Sequence, residues 1–203
     1  MSSPVAASRR TGSTTRAASP TGSMPTPDLR IRRGVIDDAK EASRAHTDTW
    51  RISYRGLVPD ALLDGLKDDR WENGWRRGFE SMDPTRVVHV AEIDGRIVGF
   101  AGGGRARANA PPGYVGEVYA LYVRPEHQGE GIGRALLKAA AEGLVERGLV
   151  PIVIWTLFDN PASRGFYESL GGAVIGEKRE PFEGYELHEV AYGWLDAAPL
   201  VKG

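Results

Sequence analysis

Hydrophobic and polar positions change period repeatedly between residues 28 and 194, and each change marks an element. In DLRIRRG (28–34) Leu29 and Ile31 alternate with polar residues, which predicts a first strand. From Val35 to about Ser53 the spacing of Val35, Ala39, Ala42 and Ala45 is near 3.6, so a helix is expected. Asp37 and Asp38 near its start suit the helix dipole. RGLVPDALLDGL predicts a loop and a short helix with Pro59 in its first turn. Residues 69–80 are polar apart from Trp71, Trp75 and Phe79, whose spacing of four gives one aromatic helical stripe.

TRVVHVAEI (85–93) and RIVGFAGGG (96–104) are strand runs joined by Asp94-Gly95, a strong hairpin signal. The basic, glycine-rich RARANAPPGY (105–114) is a loop. In GEVYALYV (116–123) the apolar Val118, Leu121 and Val123 do not alternate strictly, which points to a bulge. Residues 131–147 are an amphipathic helix with Ile132, Leu136, Ala139, Ala140 and Leu144 on one face and Gly148 as its stop. PIVIWTLF (151–158) is a hydrophobic strand. Asn160 and Pro161 open a helix that ends at Gly171-Gly172. AVIGEK and YELHEVAYGW are closing strands with a turn at 181–184. The order predicts an α/β (α+β) sheet covered by helices, one domain over 28–196, with a short C-terminal tail at 197–203.

Composition narrows the chemistry. Residues 1–27 are Ser, Thr, Ala, Pro and Gly with scattered arginines and no apolar period, and so are expected to be a disordered tail. No apolar run approaches the roughly 18 residues of a membrane helix, and no signal-peptide stretch is present, so a cytoplasmic protein without a membrane partner is the default. The formal net charge of −1 gives no reason to expect nucleic acid. The absence of cysteine excludes disulfides, thiolate metal sites and cysteine nucleophiles. Four histidines without an HExxH pattern make a metal site unexpected.

The stretch RPEHQGEGIGRALL (124–137) carries three glycines, Gly129, Gly131 and Gly133, between the best strand and the best helix. It is not a nucleotide P-loop, because no Lys-Ser or Lys-Thr follows. It also fails the dinucleotide fingerprint, because Arg134 stands where the third glycine belongs. Glycines beside a helix N-terminus can aim backbone N–H groups at an anion such as a pyrophosphate. A tight turn with no ligand explains the same glycines.

The wider stretch LYVRPEHQGEGIGRALL resembles the acetyl-CoA-binding motif of the GCN5-related N-acetyltransferase (GNAT) superfamily. That motif is Arg or Gln, two residues, Gly, one residue, then Gly or Ala, and here it reads Gln128-Gly129-Glu130-Gly131-Ile132-Gly133. DNPASRGFYESLGG (159–172) is similar to the family's second segment, with Ser163 or Arg164 at the usual alanine and Gly172 in place of a phenylalanine. The resemblance covers residues 28–194. It implies the GNAT fold: a central mixed, mostly antiparallel twisted sheet of about seven strands flanked by helices and splayed at the acetyl-CoA site.

The resemblance also implies roles. The loop residues Gln128, Gly129, Glu130, Gly131, Ile132, Gly133 and Arg134 would hold the pyrophosphate through backbone N–H groups. The backbone of Leu121, Tyr122 and Val123 would pair with the pantetheine arm, and Asn160 would touch it while also capping its helix. Tyr167 matches the family's general acid for the departing thiolate, and Glu117 is the leading base for the amine, ahead of Glu92, Glu189 and His188. Trp50 and Tyr54, four apart, either line an acceptor pocket or bury against the sheet, and the 105–114 loop borders that side. The expected reaction is direct acetyl transfer from acetyl-CoA to a primary amine of a small molecule. A protein N-terminus or lysine is the alternative acceptor, and an inactive acyl-CoA-binding sensor is the alternative of another class. The resemblance leaves homodimerisation open.

Overall fold

A computed structural model describes residues 28–81 and 83–202, so the 1–27 segment read as a tail lies outside the described residues. Seven strands form one sheet: β1 (Leu29–Arg33), β2 (Val87–Ile93), β3 (Arg96–Arg105), β4 (Gly116–Val123), β5 (Ile152–Leu157), β6 (Ala173–Phe182) and β7 (Tyr185–Trp194). Their order is β1-β2-β3-β4-β5-β7-β6. All neighbours are antiparallel except β4 and β5. This is the mixed, mostly antiparallel sheet expected.

Alternation along the strands sends side chains to two helical layers. On one face α4 (Ile132–Val145), α5 (Pro161–Ser169) and α6 (Ala198–Val201) cover Ile152, Ile154, Val190 and Tyr192, with Leu136 and Leu144 buried between. On the other, α1 (Ala39–Ser53) and α3 (Glu72–Glu80) pack Ala42 and Trp75 on Val90 and Phe100. There α2 (Asp60–Asp64) adds Leu62 and Leu63 beside Trp50 and Leu157. Each such buried aliphatic or aromatic side chain contributes about 1.5–3 kcal/mol relative to exposure. Among the described residues, no helix is long and apolar enough to cross a membrane.

Three expectations change in detail. α1 starts at Ala39, after a 3₁₀ turn over Ile36–Asp38, because Asp38 accepts from the Val35 N–H at 2.8 Å and from Arg32 at 2.7 and 2.9 Å. β6 runs through Pro181 to Phe182, which an edge strand tolerates, and the turn tightens to Glu183-Gly184. The residues expected as a C-terminal tail instead include α6, with Ala197 and Leu200 buried and the Lys138 ammonium donating to the Val201 carbonyl.

The feature that positions the site lies between β4 and β5. Their parallel ladder contains only Gly116↔Ile152, Glu117↔Val153 and Val118↔Ile154. The next residue of β4, Tyr119, is a bulge: Gly102 pairs with Ala120 and Gly103 with Val118. The irregular apolar pattern of GEVYALYV is this bulge. Beyond it β4 stays with β3 and β5 with β7, so the sheet splays.

Candidate active site

The chain leaves β4 through a 3₁₀ turn at Pro125–His127 and reaches α4 through the glycine loop. Gly129 and Gly131 both have φ of 83°, a backbone state that L side chains adopt only under strain. Gly131 is the N-cap of α4 and supplies no side chain to its first turn. The N–H groups from Gly129 to Arg134 consequently have no acceptor among the described residues. Six adjacent free donors at the positive end of a helix can receive an anion.

Gln128 differs from the expectation. Its N–H is taken by the Pro125 carbonyl at 3.2 Å, and its carboxamide donates to the Val123 carbonyl at 3.0 Å. Gln128 therefore locks the loop to the end of β4. The Glu130 side chain turns to His127 at 3.2 Å, and the Ile132 side chain is buried in the core, leaving their N–H groups to the loop.

A groove of about 610 Å³ runs from this loop along Leu121 and Val123 to Asn160, Phe166 and Tyr167. The second edge of β4 past Val118 has no strand partner, so its backbone is available to an extended ligand. Asn160 accepts from the Ser163 N–H at 3.1 Å through Oδ1, capping α5, while its residue lines the groove. Tyr167 is 5% exposed, and its hydroxyl makes no hydrogen bond among the described residues. Burial pushes its pKa up, so the phenol holds its proton at neutral pH.

At the splay a narrow passage of about 100 Å³, lined by Tyr122 and Thr156 among others, shares Leu121, Val123, Asn160 and Tyr167 with this groove. It shares Tyr54, Tyr122, Trp155 and Thr156 with a cavity of about 300 Å³. His46, Trp50, Tyr54 and Trp71 roof that cavity, and Tyr122, Trp155 and Phe182 form its floor and sides. Trp50 and Tyr54 are thus brought together at the passage: Trp50 Nε1 donates to the Tyr122 hydroxyl at 3.0 Å, and the Tyr54 and Tyr122 hydroxyls lie 3.3 Å apart. His46 stacks on Trp71 at 4.2 Å, and burial lowers its pKa to about 3, so it is neutral.

The four carboxylate and histidine candidates separate. Glu117 is completely buried, and both its oxygens accept from Arg107, Oε2 from the backbone N–H at 2.8 Å and Oε1 from the guanidinium at 2.9 Å. Glu92 on β2 pairs with Arg32 on β1, and His188 stacks on Phe158 and faces Glu177. Glu189 lines the cavity and binds Lys178 at 3.1 Å.

Sequence reasoning missed Trp71, Trp155, Lys178, Glu180 and Phe182 as cavity residues. The alternation in β5 places Trp155 on the face of Leu157, a legible signal; the pairing of β5 with β7, which sets the β6–β7 hairpin beside β5 and brings Lys178 over Trp155, is not local.

Comparison with known proteins agrees with this geometry. The profile of the acetyltransferase (GNAT) family matches residues 46–172. The uncharacterized N-acetyltransferase YuaI of Bacillus subtilis is 32% identical over 172 residues, covering 85% of this chain and 96% of the relative. A mycothiol acetyltransferase of Thermomonospora curvata is 30% identical over 154 residues, 75% of this chain, but the match spans only 48% of that longer protein. Among solved structures, the PaiA N-acetyltransferase of Thermoplasma acidophilum in complex with coenzyme A superposes with a TM-score of 0.60 at 19% identity, covering 82% of this chain and 99% of its own. YncA of Salmonella typhimurium, a putative acetyltransferase solved with acetyl-CoA, gives 0.61 at 23% identity, covering 83% and 94%. With its splayed sheet, its free N–H loop and these relatives, the chain belongs to the GNAT acetyltransferase family.

Proposed function

We propose that this acetyltransferase moves the acetyl group of acetyl-CoA directly to a primary amine of a small molecule. The observation that carries the reading is a cavity of about 300 Å³ with many aromatic walls, whose lining overlaps that of the passage at the splay, which in turn overlaps that of the groove beside the free N–H loop. A walled cavity suits a small acceptor better than a protein chain. Kinship with acetyltransferases named for mycothiol, a small molecule, supports the same choice.

The chain's groups fit the coenzyme. The N–H groups of Gly129 to Arg134 meet the diphosphate, the open edge of Leu121 to Val123 meets the arm, and the Asn160 carboxamide retains Nδ2 for it. Bound acetyl-CoA supplies an activated thioester. Tyr167, protonated and without a partner at the passage, holds the proton for the departing sulfur. Glu117 can act as base only with Arg107 withdrawn from it; Glu189 needs no such rearrangement to meet an ammonium in the cavity.

The test is release of free coenzyme thiol with a panel of small amines and short peptides. Turnover with small amines and none with peptides is the expected result; the reverse would sink the small-molecule reading.

A further inference from the structure

The acceptor cavity has an uneven charge ledger. Arg107 is matched one to one by Glu117. Lys178 is shared by two carboxylates, Glu180 at 3.2 Å and Glu189 at 3.1 Å. One negative charge is left over at this end of the cavity. Glu189 gives Oε2 to Lys178, and its other oxygen has no partner among the described residues. Burial is the largest cause raising the pKa of Tyr54 and Tyr122, and the Glu189 charge adds to it; on Arg107 burial acts downward, and Glu189 adds to the upward pull of Glu117.

Most of the rest of the lining is aromatic, with Asn109, Ala120, Thr156, Leu157 and Leu187 between the rings. Trp155 already carries the Lys178 ammonium over its ring at 4.5 Å, so the cavity holds one alkylammonium on an indole face between carboxylates. The opposite end is walled by His46, Trp50, Trp71 and Phe182, with His46 neutral. A cation is favoured at the Glu189 end, a flat apolar body is favoured at the other, and an acceptor carboxylate would meet the excess negative charge.

Resting on the amine-transfer reading above, we infer that the acceptor is a primary ammonium on a flat aromatic body with no carboxylate, and that Glu189 receives its ammonium. An amino acid acceptor is disfavoured by Glu180 and Glu189.

The test is binding, measured by calorimetry on the protein with and without coenzyme A. The probes are phenethylamine, phenylalanine, propylamine and glucosamine. Phenethylamine is expected to bind at least about tenfold more tightly than each of the others. Glu189→Gln is expected to weaken phenethylamine about tenfold and leave coenzyme A binding unchanged. Lys178→Met, which adds to the excess negative charge, is expected to tighten it. Two variants that move affinity in opposite directions are not explained by misfolding, and if Lys178→Met does not fold, Glu189→Gln decides alone. Equal or tighter binding of phenylalanine, propylamine or glucosamine, or an unchanged affinity in Glu189→Gln, overturns the inference. Absence of coenzyme A binding would instead count against the transfer reading, since the amine ranking is read separately on the coenzyme-free protein.

Discussion

Arg107 lies across Glu117, giving its backbone N–H to one carboxylate oxygen at 2.8 Å and its guanidinium Nε to the other at 2.9 Å. The carboxylate is fully buried and the guanidinium half-exposed. This pair fastens the loop after β3 to β4 just before the bulge, and it places the guanidinium at the cavity wall. Removing the arginine would strand a buried charge. Arg107→Met is therefore expected to lose about 1–3 kcal/mol in a denaturant titration, after allowance for the solvent on the guanidinium side. In the intact protein Glu117→Gln should leave the acidic limb of the pH–rate profile in place; a displaced limb would assign Glu117 the base role.

Tyr167 stands at the passage with no hydrogen-bond partner among the described residues and with its pKa raised by burial. If its proton goes to the departing sulfur, Tyr167→Phe removes the donor and little packing. Turnover should fall about a hundredfold, while coenzyme affinity measured by calorimetry changes little. Unchanged turnover would leave Tyr167 as a packing residue beside Phe166 and Trp194.

Gly131 caps α4 from the left-handed region at φ 83°, with open space where a Cβ would stand. Gly131→Ala meets no atom of the protein, so its effect on the free protein is backbone strain of about 1–2 kcal/mol. Coenzyme affinity should fall beyond what that strain explains, because the methyl group enters the space that the free N–H groups face. Calorimetry with coenzyme A on the variant separates the two.

His46 sets a pH dependence of stability. Burial holds its folded pKa near 3, below the ordinary value of 6.5. Between those values the unfolded chain binds the extra proton, so this contribution is complete above about pH 6.5 and is lost as pH falls toward 3. The slope approaches about 1.4 kcal/mol per pH unit within that window. His46→Phe keeps an aromatic plate beside Trp71 and Tyr122 and should flatten the fall in melting temperature between pH 7 and pH 5. An equal fall in both proteins would assign the acid sensitivity to other groups.

The candidate donor side was readable in the sequence because the family's two motifs each fall on one continuous stretch. Gln128 through Arg134 make one loop–helix unit, and Asn160 caps the short helix that carries Tyr167. Asp94-Gly95 likewise marked its hairpin correctly, with φ of 49° and 79°. The acceptor side was not legible because its walls come from separate segments. Trp71 precedes α3, Arg107 follows β3, Trp155 lies on β5, and Lys178 and Phe182 lie on β6; they meet only through the β5-β7-β6 strand order. The Arg107 latch was hidden for a related reason: alternation gives the face that Glu117 points to, not the arginine that a loop folds back over it. The end of the chain was misread because APLV is too short to show a period, although Leu200 is buried against the α4 layer.

The most direct test of the account follows thiol release from acetyl-CoA and N-acetyl product by mass spectrometry in one reaction, with phenethylamine as acceptor. The account predicts one thiol released for each N-acetylphenethylamine formed, with both products falling together in Tyr167→Phe. Thiol release without N-acetylated product, or no release with any small amine while a peptide amine is acetylated, would contradict it.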